Sequence, residues 1–292
     1  MSTGLRRVIV VVLGLLAGVT AWPLLELLLL FQESFPGYFL FSLAQGALFG
    51  VVLGLFFGSG EGLTSKDGGK LVRGAMTGAL VGLAGGMIGF TAGQGVLFFI
   101  IQRTSRSFAV PLARAVGWAI LGLSVGMAEG IRAKSGKKSA FGALGGVLGG
   151  LLGGIAIEYL RGRFPGMLYG RLVGFLLFGG LIGVFYALLE RRFSFGVLRL
   201  LNGTLRGKEY SFSQSRISVG SDPKNDIVLK GYDNVRSRHA LFRVKRRDVY
   251  LSAVGEDPTL LVNEEPVTGG LLLKYEDVVQ VGSAKMFFKG ET

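Results

Sequence analysis

Gly220-Ser221-Asp222-Pro223-Lys224-Asn225-Asp226-Ile227-Val228-Leu229, followed after six residues by Arg236-Ser237-Arg238-His239-Ala240, decides the architecture of the last third of this chain. Asp222-Pro223 and Asn225-Asp226 are turn chemistry, because short polar side chains cap nearby backbone groups and proline pre-sets a turn dihedral. Apolar runs of strand length flank the turn. Reading outward, further runs predict strands at Val197–Leu201, Tyr210–Ser213, Arg216–Val219, Asp226–Leu229, Ala240–Val244, Val249–Ser252, Thr259–Val262, Val278–Val281 and Met286–Lys289. Asn202-Gly203 and Arg206-Gly207 punctuate the first of them. Many short strands at this spacing predict a β-sandwich.

Four separated motifs within residues 196–290 resemble the forkhead-associated (FHA) family. They are Gly220 with its turn, Arg236–His239, Leu261–Val267 around Asn263, and Asp277–Gly282. The resemblance implies a sandwich that reads phosphothreonine peptides through loops at one end. In the family an Arg follows the first motif glycine, a Ser stands three residues before the motif His, and an Asn holds the peptide backbone. Here Gly220 matches but Ser221 follows it. His239 matches but Arg236 takes the Ser position, and Glu264 follows Asn263 where Gly is usual. The implied phosphopeptide site is therefore Ser221, Arg236, Ser237, Arg238 and Asn263, with Gly220 and His239 bracing the loops. The exchange of Ser and Arg between positions 221 and 236 keeps both groups available, and a guanidinium suits bidentate phosphate binding. Loss of phosphate binding, leaving a protein-docking module, is equally open.

The rest of the chain is apolar. Half of the 292 residues are hydrophobic, 17% are charged and mean hydropathy is +0.51, outside the range of an ordinary soluble domain. Six stretches are long enough to cross a ~30 Å hydrocarbon core: Val8–Phe31, Tyr38–Gly58, Gly74–Ile101, Pro111–Ala128, Ala140–Leu160 and Met167–Leu189. Arg6-Arg7, an apolar run and Val19-Thr20-Ala21 have the look of a signal peptide, but the apolar stretch continues through Leu27–Phe31, which favours a retained span kinked at Pro23. The expected division is residues 1–192, a glycine-rich all-α transmembrane bundle, and residues 193–292, a cytoplasmic all-β sandwich.

The spans repeat. Leu53-Gly54-Leu55 and Glu61-Gly62 align at an offset of 68 with Leu121-Gly122-Leu123 and Glu129-Gly130, and the match runs on through Gly74/Gly142 to Gly86/Gly154. A second offset, 57, pairs Gly117/Gly174, Gly122/Gly179 and Gly126/Gly183. The unit is a helical hairpin used about two and a half times. Of 49 glycines, 39 precede residue 196, many four apart. Such grooves let helix backbones approach closely in lipid, within one bundle or between copies in a homo-oligomer or pore.

Charge limits the function classes. The net +13 divides into about +10 before residue 193 and +3 after it, scattered over short loops. That pattern fits contact with an anionic bilayer rather than with nucleic acid. Lys66, Lys70, Arg73, Arg132, Lys134, Lys137 and Lys138 fall on the side of Arg6-Arg7 and Arg191-Arg192, which predicts both termini in the cytoplasm of an inner or plasma membrane. Glu26 and Arg171 are the deepest ionisable residues, and no carboxylate recurs in mid-span as a proton or ion pump requires. With no cysteine and one histidine, thiolate chemistry and multi-His metal centres are excluded, and no cofactor or catalytic group is expected. The predicted role is docking of a protein partner, phosphorylated or not, at the membrane. A glycine-zipper channel or transporter regulated by the sandwich is the alternative. About six residues tether the sandwich to the last span, which brings the basic tip Lys245-Arg246-Arg247 or another basic surface near the headgroups.

Overall fold

The computed structural model describes residues 2–65, 68–163, 168–212, 214–245, 248–255 and 259–290. The chain divides into two compact units, Arg6–Glu190, and Arg191–Thr292 together with Met1–Leu5.

The first unit is helical: α1 (Thr3–Leu30), α2 (Tyr38–Ser65), α3 (Gly68–Ile100), α4 (Arg106–Arg132), α5 (Gly136–Arg163) and α6 (Leu168–Phe193), with a single 3-10 turn at Gln32–Ser34. All six are long and apolar enough to cross a membrane. Most run one or two turns beyond the apolar stretches read from the sequence and carry charged residues on the added turns. Residues 164–167, where the sixth span was expected to begin, lie outside the described residues.

The glycine grooves are filled by neighbouring backbone. A Cβ on Gly54 would fall on the Gly78 carbonyl, and one on Gly58 on the Gly74 carbonyl. Adding 68 to each number gives the α4–α5 contacts Gly122–Gly146 and Gly126–Gly142, also backbone on backbone. The repeat is thus a repeat of contacts. Adding 57 to Gly122 gives Gly179, which meets Gly14 of α1 in the same way. The first helix therefore completes the third hairpin. At the middle of α2, α4 and α6, Phe49 meets Trp118 and Phe175 edge to face and Trp118 meets Phe178 at a tilt, with centroids 4.7–5.2 Å apart. This aromatic layer is part of the bundle's buried core.

The in-span charges are paired. Arg171 Nε lies 2.7 Å from Glu26 Oε1, and Arg114 Nη1 lies 2.7 Å from Glu158 Oε2. A larger cluster closes the end of the bundle where α6 ends. Glu129 Oε1 accepts from Arg6 Nη2 at 2.9 Å and Lys138 Nζ at 3.3 Å, and Glu129 Oε2 accepts from the Tyr186 hydroxyl at 2.8 Å. Arg6 also reaches Glu190 at 3.2 Å, and Arg132 pairs with Glu61. Glu61, Glu129 and Tyr186 are one position of the repeat, 68 and then 57 residues apart. Beneath them, a cavity of about 10 Å³ between Val10, Leu13, Phe57 and Val125 is barely the size of one water.

The second unit is a two-sheet sandwich. Its strands are β1 (Val197–Leu200), β2 (Glu209–Ser211), β3 (Arg216–Gly220), β4 (Ile227–Val228), β5 (Ala240–Lys245), β6 (Asp248–Ala253), β7 (Leu260–Val262), β8 (Glu265–Pro266), β9 (Gly270–Leu273), β10 (Val278–Val281) and β11 (Ala284–Lys289). One sheet has the order β2-β1-β11-β10-β7-β8 and the other β4-β3-β5-β6-β9. Inward side chains alternate along β5 and β11, and Phe212, Phe242 and Phe288 meet at the centre. Among the described residues every predicted strand is present; Ser213, the expected end of the second, lies outside them. The sequence reading missed β8 and β9: one is a two-residue edge containing Pro266, and the other is a Gly-Leu-Leu-Leu run without alternation. Arg246 and Arg247 of the expected basic tip lie outside the described residues. Lys245 and Asp248 are the last partners described in the β5–β6 ladder.

Candidate functional site

One end of the sandwich is built from the loops that follow β3, precede β5 and precede β7. β3 ends at Gly220, where the chain must pass against the next loop: a Cβ there would strike the Ser237 and Arg236 carbonyl oxygens. The loops are joined edge to edge. The Ser221 N–H donates to the Arg236 carbonyl at 2.9 Å, and the Asp222 N–H to the Ser237 carbonyl at 3.2 Å. Buried Asn225 fastens them from below, its Nδ2 donating to the Ser237 carbonyl at 2.6 Å and the Asp222 carbonyl at 3.0 Å. Asp226 accepts from both the N–H and the hydroxyl of Ser218 at 2.8 Å, which closes the turn that its sequence predicts.

His239 is fully buried beneath this platform. Its N–H donates to the Val219 carbonyl at 2.8 Å, continuing the β3–β5 ladder. Its Nδ1 accepts the Arg236 N–H at 3.3 Å, so a neutral ring carries its proton on Nε2, which faces Thr259 Oγ1 at 3.4 Å. One imidazole therefore ties together the two loops that precede β5 and β7. Thr259 is the bracing residue that sequence reasoning missed; nothing but its place before a strand marks it. Above the platform, Arg236, Ser237 and Arg238 are exposed and Ser221 is half-buried. The Arg236 guanidinium extends to the start of the loop before β7, with Nη1 3.9 Å from where a Gly255 Cβ would stand. The arrangement offers two cationic groups and two hydroxyls on a rigid base, which suits an anion or an acidic peptide.

The structure does not bring Asn263 to this group. Thr259 precedes β7 and Asn263 follows it, so they lie at opposite ends of the strand. Asn263 sits in the β7–β8 turn with φ +51°, a conformation Asn tolerates better than most residues. Its Nδ2 donates to Asp277 at 2.8 Å and its Oδ1 accepts the Val278 N–H at 2.9 Å. The amide is taken up in joining two turns of the sandwich itself.

Residues 199–292 match the family model for the cytoplasmic domain of the inner membrane component of T3SS. Their two-sheet sandwich has the FHA-type fold. Among solved structures, the FHA domain of CT664 protein from Chlamydia trachomatis is 22% identical over 33% of this chain and 98% of that one, with a TM-score of 0.31. The cytoplasmic domain of the T3SS sorting platform protein PscD from P. aeruginosa is 23% identical over 32% of this chain and 79% of that one, with a TM-score of 0.29. A domain solved in work on phosphothreonine-dependent FHA interactions is 21% identical over 34% of this chain and 98% of that one, with a TM-score of 0.31. At these identities the likeness is of fold alone. A search of curated proteins finds no match. The family match stops at the FHA domain and leaves residues 1–198 outside it.

Proposed function

We propose that the chain is a multi-pass protein of the inner membrane, with residues 1–192 in the bilayer and both termini in the cytoplasm. Its FHA domain, residues 193–292, docks a threonine-phosphorylated protein partner at the membrane surface. It acts by binding, without catalysis. One observation carries this reading: exposed Arg236, Ser237 and Arg238 and half-buried Ser221 lie on loops joined edge to edge over a base of buried Asn225 and His239. A dianionic phosphate gains charge-assisted bonds from such a group, and a rigid base lowers the cost of ordering it. The cytoplasmic location draws support from the loop Lys/Arg bias and from the name of the matched family.

A second reading, phosphate-independent assembly, is favoured by Asn263, which lies at the far end and cannot share a ligand with Arg236. A channel reading gains nothing from the glycines, whose faces at Gly54, Gly78, Gly122 and Gly146 are closed by neighbouring backbone. The test is a titration of the full chain in nanodiscs with threonine-phosphorylated peptide pools and their unphosphorylated counterparts. Preference for the phosphorylated pool, lost in Arg236→Ala, supports the proposal. Equal binding of both pools replaces it with the assembly reading.

A further inference from the structure

Each helix of the first unit brings an exposed aromatic ring to the same end of the bundle. Successive helices run antiparallel, as the contacts Gly46–Gly86 and Gly58–Gly74, and again Gly89–Gly117 and Gly93–Ala113, require. Phe31 just after α1, Phe39 at the start of α2, Phe98 near the end of α3, Phe108 at the start of α4, Tyr159 near the end of α5 and Tyr169 at the start of α6 therefore share one end. All six are more than half exposed. Among the described residues the only exposed ring at the other end of the helices is Phe193, and the exposed large apolar side chains between the ends are aliphatic or methionine.

Charge marks the two ends differently. The end opposite the rings carries exposed Arg73, Lys134 and Lys137, while Glu61, Glu129 and Glu190 there are buried or half-buried and face cations. The aromatic end carries exposed Arg103, Arg106, Arg163 and Arg171, and one exposed acid among the described residues, Glu33. The spacing of the two ends is that of a bilayer. Arg73 and Phe98 are about 37 Å apart along α3 at helical rise, and Phe108 and Arg132 about 36 Å along α4. A hydrocarbon core is about 30 Å thick, and about 40–45 Å with its headgroup layers, so groups at this separation fall in opposite boundary layers.

We infer that these rings form a collar in the headgroup boundary of one leaflet, with the basic end of the bundle in the boundary of the other. This rests on the reading of residues 1–192 as lying in the bilayer. Aromatic rings suit the boundary layer because their bodies enter the apolar region while a tyrosine hydroxyl stays wet, and neighbouring guanidinium groups meet lipid phosphates. A feature contributed by every helix matches a boundary that runs around the whole bundle, whereas a single protein partner meets only a few helices. The collar also accounts for Glu26 and Arg171, the deepest ionisable residues by sequence. Arg171 follows Tyr169 by two residues and Glu158 directly precedes Tyr159, so the pairs Arg171–Glu26 and Arg114–Glu158 lie at the level of the rings. An ion costs far less there than at the bilayer centre.

The chain has no cysteine, so a single introduced cysteine is the only labelled site. Phe98→Cys and, separately, Tyr169→Cys are labelled with a fluorophore in the full chain, with Leu148→Cys, exposed in the middle of α5, as the reference. Each protein is reconstituted in vesicles of phosphatidylethanolamine and phosphatidylglycerol whose two leaflets carry a nitroxide either at the headgroup or deep in the acyl chain, so the reading does not depend on which way the chain inserts. The collar predicts that the headgroup nitroxide quenches both ring-site labels at least about twofold more than the deep one, and that Leu148→Cys shows the reverse order. The inference is overturned if the ring-site labels follow Leu148→Cys, which places the rings inside the hydrocarbon. It is also overturned if neither nitroxide quenches them while the deep one quenches Leu148→Cys. The aromatic end then stands clear of lipid, covered by a second copy if the same cysteines cross-link between chains and open to water if they do not. If the deep nitroxide leaves Leu148→Cys unquenched as well, the bilayer reading fails together with the collar.

Discussion

Arg6 of the first helix and Glu129 of the fourth, 123 residues apart in the chain, form an ion pair at 2.9 Å in which the carboxylate is shut away from solvent. Lys138 and Tyr186 bind the same carboxylate, so four helices converge on one side chain. Breaking a buried pair from one side costs more than the pair is worth, because the remaining charge stays desolvated. Arg6→Ala leaves Glu190 without the cation that faces it at 3.2 Å and should cost about 3–5 kcal/mol. The effect is read as a lower melting temperature in detergent. The double variant Arg6→Ala/Glu190→Gln should recover part of the loss; an equal or larger loss in the double variant would mean that the two residues do not interact.

The glycine grooves make a sharper prediction with the structure than without it. Gly78 and Gly146 face carbonyls of Gly54 and Gly122, so Leu at either position must push two helices apart. Gly95 lies in the same helix as Gly78, and a Cβ added there would meet nothing within 4 Å. Gly78→Leu and Gly146→Leu should lower the yield of monodisperse protein, while Gly95→Leu leaves it unchanged or raised, as helix propensity favours Leu over Gly by somewhat under about 1 kcal/mol. Size-exclusion profiles of the three variants decide it.

Topology is tested by accessibility. Cysteines at Ser2 and Lys224 should resist a membrane-impermeant thiol reagent in intact cells, and a cysteine at Thr104, in the turn between α3 and α4, should react. The reverse pattern would invert the orientation. Reaction of Ser2→Cys without Lys224→Cys would require an odd number of crossings.

Asn263 and Arg236 should separate stability from binding. Asn263→Ala loses bonds to Asp277 and Val278 and leaves alanine where φ is +51°, a conformation it adopts less readily than Asn. A destabilisation of about 1–3 kcal/mol is expected, with no change in phosphopeptide affinity at a temperature where the domain is folded. Arg236→Ala should do the opposite. A lost charge-assisted contact of about 1.5–3 kcal/mol weakens a phosphopeptide roughly ten- to a hundred-fold, and the melting temperature should hold. Calorimetric titration and thermal melts of both variants distinguish the roles; equal weakening of the phosphopeptide by both would place Asn263 back at the site.

The division into an apolar helical part and a β-sandwich was legible in the residues, because each depends on local composition: uncharged runs of helix length before residue 193, and short strands with Asx and glycine turns after it. So was the hairpin repeat, since equal offsets between glycines survive as equal contacts. The bracing roles of Gly220 and His239 were read from their place in a family pattern; the bond from the His239 N–H to the Val219 carbonyl and the burial of its ring were not legible there. Tertiary structure alone decided the rest. No spacing in the sequence says that Arg6 meets Glu129 across 123 residues, or that α1 takes the third hairpin's empty place, because both depend on how helices close around the aromatic layer at Phe49 and Trp118. Asn263 looked like a member of the binding site because the FHA pattern it resembles places a peptide-holding Asn there. A strand of three residues carries it to the other end of the sandwich, and only the strand's direction between the sheets reveals that separation.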